Sequence, residues 1–501
     1  AAVVTDVVRG EDGAPPRYRC RVHLFPVPAR PRPRRPGPDG WPRPTAGEGT
    51  VFTASEHLDA SPRFAPDGRH LAFISVRAEE ERPQLQVMPL GGGEPRRLTD
   101  HAGGVREFAW HPSGRRLYYL ARDEKDDRAE KGLPLRVRRL RYRGDGEGFF
   151  PPGAFDLYAV GLRGRPRLVA RLAERAHGLV FGPDPRVLYL VRPAGEAAES
   201  EFRADVVALD LETGAERVVA AGLRGVVSVS PSPDGRYVAV AAAHRDESAA
   251  HTGVFLFEAS GAAPEARELV SGDLDVNPAE VGDSRFGAYP NRPSWTRLPT
   301  GEQALLVNVH AGGVTGLGLL GLDGSFRRLQ EGGEPRAVTA FAPVRGGPAA
   351  AFVAESPVHP GELWYRDAAG AEVRLSGLND AWRSRLRLHR PEGPLEAKGH
   401  GVRYWVIRPS RPRRDRAAVL EVHGGPHTAY GAGFFLEFQL LAARGYAVVY
   451  GNPRGSSGLG YGFAAHVLGD YGGDDARDVL DIADAALRTL GTPDAPLHLT
   501  G

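Results

Sequence analysis

The sequence predicts a multi-domain chain: an all-β, seven-bladed β-propeller over residues 1–384, then the N-terminal portion of an α/β domain over residues 385–501. Three observations carry this. One turn-and-strand phrase recurs along the first part of the chain. The grammar changes to strands alternating with helices after Leu378-Asn379-Asp380. The composition is globular, 41% hydrophobic and 25% charged over 501 residues. No stretch approaches the roughly 18 apolar residues of a membrane span, so no membrane partner is expected. With 64 Lys+Arg against 62 Asp+Glu, the net charge of +2 is too balanced for a surface that neutralises phosphates, which argues against nucleic acid. The single Cys20 excludes an intrachain disulfide framework and any Cys-based metal cluster, a usage that fits the cytoplasm. The chain opens at Ala1 within what reads as a strand, so a removed leader stays open.

The recurring phrase is a Pro/Asp/Ser/Gly turn followed by a short apolar or alternating run. Ser61 to Phe73 (SPRFAPDGRHLAF) sets the type, and Phe108 to Leu120, Val180 to Leu190 and Val229 to Val240 repeat it. Weaker copies run from Trp295 to Val309 and from Phe341 to Val353. Asp67-Gly68 and Asp234-Gly235 pair a residue that tolerates positive φ with one that has no Cβ, as a tight strand connection needs. A second hairpin follows at Gln84 to Leu98, Asp156 to Val169, Asp205 to Val219 and Glu362 to Leu375, and two hairpins make one four-stranded blade. The opening strands around AAVVTDVV and RYRCRVHL read as the later part of a further blade, which brings the expected count to seven. Gly91-Gly92-Gly93 lacks the Lys-Ser/Thr of a phosphate loop and reads as a hairpin turn. The Arg/Pro-rich run from Ala29 to Pro44 reads as a solvated interblade loop, because Pro at that density prevents pairing, and Arg136 to Phe149 as another long loop.

Beyond the change of grammar, His400 to Ser410 and Ala417 to Gly425 read as strands, Leu436 to Gly445 as a helix and Tyr446 to Asn452 as a strand. In Gly472 to Gly491 the residues Val479, Ala483, Ala486 and Leu490 form one stripe of an amphipathic helix. Asp474 and Asp475 stand in its first turn, where the dipole favours anions, and Gly491 ends it. Asp470, Asp474, Asp475 and Asp478 are explained by capping and solvation.

His423-Gly424-Gly425-Pro426-His427 follows directly on the second strand. Its two glycines let backbone N–H groups approach a ligand, at the place where α/β-hydrolases put half of an oxyanion hole. A metal pair of His423 and His427 is disfavoured, since Gly-Gly-Pro prevents the helix that would align them, and a plain structural turn is the other alternative. Together with the propeller, EVHGGPH (Glu421 to His427), the run Tyr450 to Phe463 and the run Gly469 to Val479 make the chain resemble the prolyl oligopeptidase family of serine peptidases, in its acylaminoacyl-peptidase-like branch. The resemblance covers essentially the whole chain. It implies that the Gly425 N–H is an oxyanion donor with Gly424 fixing the turn, and that His423, Pro426 and Arg454 shape the site. It further implies short peptide substrates, no cofactor and no metal, and it allows a homo-oligomer.

In that family the nucleophile stands in a G-x-S-x-G elbow after the next strand, and Leu497 to Gly501 (LHLTG) reads as that strand with the first Gly of the elbow. The Ser, Asp and His of a triad are therefore expected after Gly501, with no catalytic residue of the triad inside the chain. Ser456 and Ser457 miss the elbow spacing, because Leu459 stands where the second Gly belongs, and read as loop residues. The expected function is a peptidase that releases acylated amino acids, dipeptides or short pieces, with the propeller as a size filter. An esterase with a propeller lid and a non-catalytic scaffold are the alternatives from other classes.

Overall fold

The computed structural model describes residues 1–501 apart from 9–15, 30, 33–36, 38–39, 78–81, 124–130, 135–136, 138–139, 141, 145–147, 150–154, 173–175, 196–200, 262–265, 271–273, 277–279, 284–291, 313, 331–334 and 345–346. Half of the loop expected from Arg136 to Phe149 and part of Ala29 to Pro44 lie outside the described residues. The chain divides into two compact units. One holds Ala1–Pro26, Gly49–Ala242 and Phe255–Arg267, and the other holds Val27–Glu48, Ala243–Val254 and Glu268–Gly501.

All six turn-and-strand phrases form antiparallel hairpins, because each places apolar residues on both sides of a turn rich in Gly, Asp and Pro. Among the described residues, five separate four-stranded sheets of the propeller type result. The second of them, with strands His177–Phe181, Val187–Pro193, Arg203–Asp210 and Glu216–Arg224, is a plain meander of neighbours. The last runs through Ala337–Val344, Ala349–Ser356, His359–Arg366 and Glu372–Arg374. The hairpins of Leu58–Phe64, His70–Val76, Gln84–Pro89 and Arg96–Arg97 belong instead to a seven-stranded sheet. The antiparallel pair Ala2–Val8 and Arg17–Leu24 joins it through a parallel bridge from Cys20 to Leu58. The opening strands are thus continuous with the next four and form no sheet of their own.

Trp41 departs from the reading of Ala29 to Pro44 as a solvated loop. It is 2% exposed, stacked on His359 with ring centroids 4.1 Å apart and edge-on to Trp364. The backbone just after it pairs with the last blade, Thr45 N to Arg374 O at 3.0 Å and Ala46 N to Leu375 O at 2.9 Å. Pro density excludes regular ladders, yet a single aromatic residue in such a run still buries its ring where a partner surface exists.

The α/β portion contains a five-stranded mixed sheet. Its strands are β1 (Pro391–Glu396), β2 (Arg403–Ile407), β3 (Ala418–Glu421), β4 (Ala447–Asn452) and β5 (Leu497–Thr500), in the order β1-β2-β4-β3-β5. β4, β3 and β5 run parallel, and β1 and β2 are antiparallel. The helices are α1 (Asp380–Arg383), α2 (Leu436–Ala443), α3 (Tyr461–Ala465) and α4 (Asp474–Leu490). The stripe on α4 packs Ile482, Ala483 and Ala486 against Val406, Leu420 and Val449 on one face of the sheet. On the other face, Phe438 and Ala442 of α2 meet Trp405, Val448 and Tyr450. Gly491 closes α4 in the left-handed conformation at φ 69°. β1, with two prolines and exposed charges, carries no strand signal and was visible only in three dimensions.

Candidate active site

β3 ends at Glu421, and the chain then makes the tight turn His423 to Thr428 at the C-terminal edge of the parallel strands, where α/β sheets place their ligands. Gly425 has φ +130° and is exposed; a Cβ there would stand 2.8 Å from His427 N and 3.1 Å from Thr428 N, so glycine is required twice over. A Cβ on Gly424 would meet nothing within 4 Å. Among the described residues the Gly425 N–H donates to no acceptor. Thr428 N donates to Pro426 O at 2.8 Å, which folds the turn back on itself.

His423 lies beneath these glycines. Its Nδ1 is 2.9 Å from Gly424 O and 3.0 Å from Thr428 Oγ1, and its Nε2 is 2.9 Å from Ser456 Oγ. Burial holds its pKa below the ordinary imidazole range, so the ring is neutral at pH 7. His427 points elsewhere and donates from Nδ1 to Gly455 O at 3.0 Å. Its Nε2 is buried with no partner among the described residues. The two histidines therefore do not converge, and among the described residues no group of three His, Cys, Asp or Glu side chains converges on a common point.

The loop after β4 is joined to the turn. Besides the bond from His423 to Ser456, Ser457 N donates to Thr428 O at 3.0 Å. The buried Asn452 side chain pairs with the backbone of Tyr430 in both directions, at 2.9 Å each way. Ser456 and Ser457 are loop residues, as their spacing indicates, but both are buried, at 1% and 3% exposure. Arg454 is fastened away from the turn. Its backbone N, Nε and Nη2 all reach Asp478, at 2.8, 2.8 and 2.7 Å, and its Nη1 reaches Asp474 at 2.8 Å. Asp474 also accepts from His466 and Arg477, and these contacts hold its carboxyl below the usual range. The Arg454 guanidinium is held above its own usual range, chiefly by Asp478. Asp478 is therefore not a solvated helix residue. It is the buried acceptor that ties the loop to α4, and its place on the apolar stripe beside Ile482 was the available signal.

Two further groups carry no signal in the sequence, Glu421 and the surface under the loop. Glu421, 3% exposed, has a buried Oε1 without a partner among the described residues. Burial first, then the charges of Glu437 and Asp283, push its pKa up to about 7. The loop itself rests on a strand hairpin of the second unit: Gly312 N donates to Gly458 O at 2.6 Å, and the imidazole of His310 lies against Gly458.

Comparison with known proteins gives consistent results. The Prolyl oligopeptidase family profile matches residues 432–495. An uncharacterized peptidase, YuxL, of Bacillus subtilis (strain 168) is 32% identical over 466 residues, which cover 89% of this chain and 69% of the relative. The solved acylaminoacyl peptidase of Pyrococcus horikoshii superposes with a TM-score of 0.68 at 20% identity, covering 88% of this chain and 66% of that one. A Mycobacterium tuberculosis puromycin-hydrolyzing peptidase superposes with a TM-score of 0.60 at 18% identity over 90% of this chain and 66% of that one. The chain thus spans about two thirds of the length of these proteins. Among the described residues no helix is long and apolar enough to cross a membrane.

Proposed function

From a chain that belongs to the prolyl oligopeptidase family, in its acylaminoacyl-peptidase-like branch, we propose a serine peptidase that transfers the acyl group of short peptides to water. The observation that carries this reading is the exposed Gly425 N–H, unspent on any acceptor among the described residues, at the end of a central parallel strand. In the proposed reaction a serine hydroxyl attacks the scissile carbonyl while a histidine takes its proton, and an aspartate orients that histidine. The carbonyl oxygen gains charge and is held by Gly425 N–H together with the N–H of the residue after the serine. No serine of residues 1–501 stands in a G-x-S-x-G elbow, so the triad is proposed to come from outside this span. His423, Pro426 and Arg454 act by shaping the turn and the loop beside it. We assign the propeller, expected to have seven blades with the first incomplete, to residues 1–384, and the hydrolase portion to residues 385–501. The substrates proposed are acylated amino acids, dipeptides or short pieces at the ends of small peptides, with the propeller as a size filter in a cytoplasmic enzyme.

The test uses the full-length protein. A fluorophosphonate probe should label one serine. A disordered peptide should be cleaved, and the same segment inside a stably folded host should not, since a folded domain is on the order of 25 Å across. Equal cleavage of both removes the size filter, and neither labelling nor cleavage removes the peptidase.

A further inference from the structure

Building on Gly425 as an oxyanion donor, we propose that His423 and Thr428 are positioning residues that aim the Gly425 N–H by clamping the carbonyl of the same peptide group. The peptide between Gly424 and Gly425 is trans, so its C=O and N–H point in opposite directions within one plane. Whatever holds the oxygen therefore aims the hydrogen. Two donors hold the oxygen: His423 Nδ1 at 2.9 Å and the Thr428 hydroxyl. The plane is flanked by two residues without side chains, and a Cβ at Gly424 would touch nothing, so on that side hydrogen bonds and not side-chain packing fix it.

The clamp is itself anchored. The His423 ring stands edge-on to Tyr430 at 5.2 Å, and its Nε2 meets the buried Ser456 hydroxyl, which also lies 2.7 Å from Pro453 O. A lone pair on Nδ1 would face the lone pairs of Gly424 O at 2.9 Å. We therefore assign the tautomer with hydrogen on Nδ1, so that Nε2 is an acceptor sharing the one Ser456 hydroxyl hydrogen with Pro453 O, to which Ser456 donates at 2.7 Å. Two hydrogen bonds into the carbonyl also polarise the peptide, which strengthens its N–H as a donor to a developing oxyanion. His423 and Thr428 touch neither substrate nor reacting atoms. They act through Gly425, and so their removal should cost turnover more than affinity.

The experiment is peptide hydrolysis by the full-length protein as wild type and as Gly425→Val, Thr428→Val, Thr428→Ser, His423→Phe and His423→Asn. Thr428→Val is nearly isosteric and should lower kcat by roughly 5- to 50-fold, part of the about 10²-fold cost of a lost donor, with KM within about threefold. Thr428→Ser should restore most of the rate. His423→Phe, which keeps a ring but neither nitrogen, should fall at least as far as Thr428→Val. His423→Asn, whose amide donates from near the place of Nδ1, should keep more activity than His423→Phe. If Gly425→Val loses about 10²-fold while Thr428→Val and His423→Phe stay within twofold of wild type, the clamp is wrong and the oxyanion reading stands. If Thr428→Ser is as slow as Thr428→Val, the hydroxyl does not act and the clamp is again wrong. If Gly425→Val is as fast as wild type, or if the wild type hydrolyses no peptide, the oxyanion reading fails and the clamp falls with it.

Discussion

Replacing Asp478 by Asn should detach the loop after β4 from α4. Three donors of Arg454 converge on this carboxylate at 2.7–2.8 Å, and its side chain is only 3% exposed. Removing one partner of a buried ion pair leaves the other charge uncompensated, at about 3–5 kcal/mol. Arg454 keeps a second acceptor, since Asp474 is 2.8 Å away and 27% exposed, so the lower end of that range applies, about 3 kcal/mol. Arg454→Met should cost a similar amount by stranding Asp478. In the double variant neither charge is stranded, so the two losses should fail to add by about 2–3 kcal/mol. The assay is a double-mutant cycle in urea, with hydrogen exchange of the amides of Asp474–Leu490 and of the loop as a local readout. A coupling below about 0.5 kcal/mol, the value of an exposed pair, would refute the reasoning.

Three further expectations follow from the same geometry. Gly458 has φ +77°, and a Cβ there would lie 2.6 and 2.7 Å from His310 Nδ1 and Nε2, so Gly458→Ala should lose about 2–4 kcal/mol. His310→Ala in that background should recover part of the loss, and no recovery in thermal melts would count against the contact. Glu421 has a folded-state pKa raised from 4.5 to about 7, so its penalty is absent below about pH 4.5 and grows as pH rises toward 7. Glu421→Gln should therefore match wild type near pH 4.5 and exceed it by roughly 2–3 kcal/mol at pH 8, and a difference that does not change with pH would sink the idea. Gly425→Val should reduce kcat by about 10²-fold in the full-length protein through the lost donor, with KM changed much less, and steady-state kinetics decide it.

The sequence by itself determined what is local. Hairpins follow from Asp67-Gly68 and Asp234-Gly235, helix α4 from its stripe and from Gly491, and the turn after β3 from two adjacent glycines, because each signal is complete within a few residues. It also showed the change from hairpins to alternating strands and helices, which is a matter of period. Only the tertiary structure decided which side chains meet. Arg454 and Asp478 are 24 residues apart, His423 and Ser456 33, and Gly458 finds His310 in another sheet. Nothing in the pattern around either member of such a pair encodes its distance from the other. An Asp on the stripe of α4 reads as a solvated helix residue until an arginine is brought over it. Trp41 reads as part of a loop until His359 and Trp364 close on its ring. Pattern is set by the backbone's short periods, whereas pairing is set by the free energy of burying polar and aromatic groups together, and burial exists only once the chain has folded.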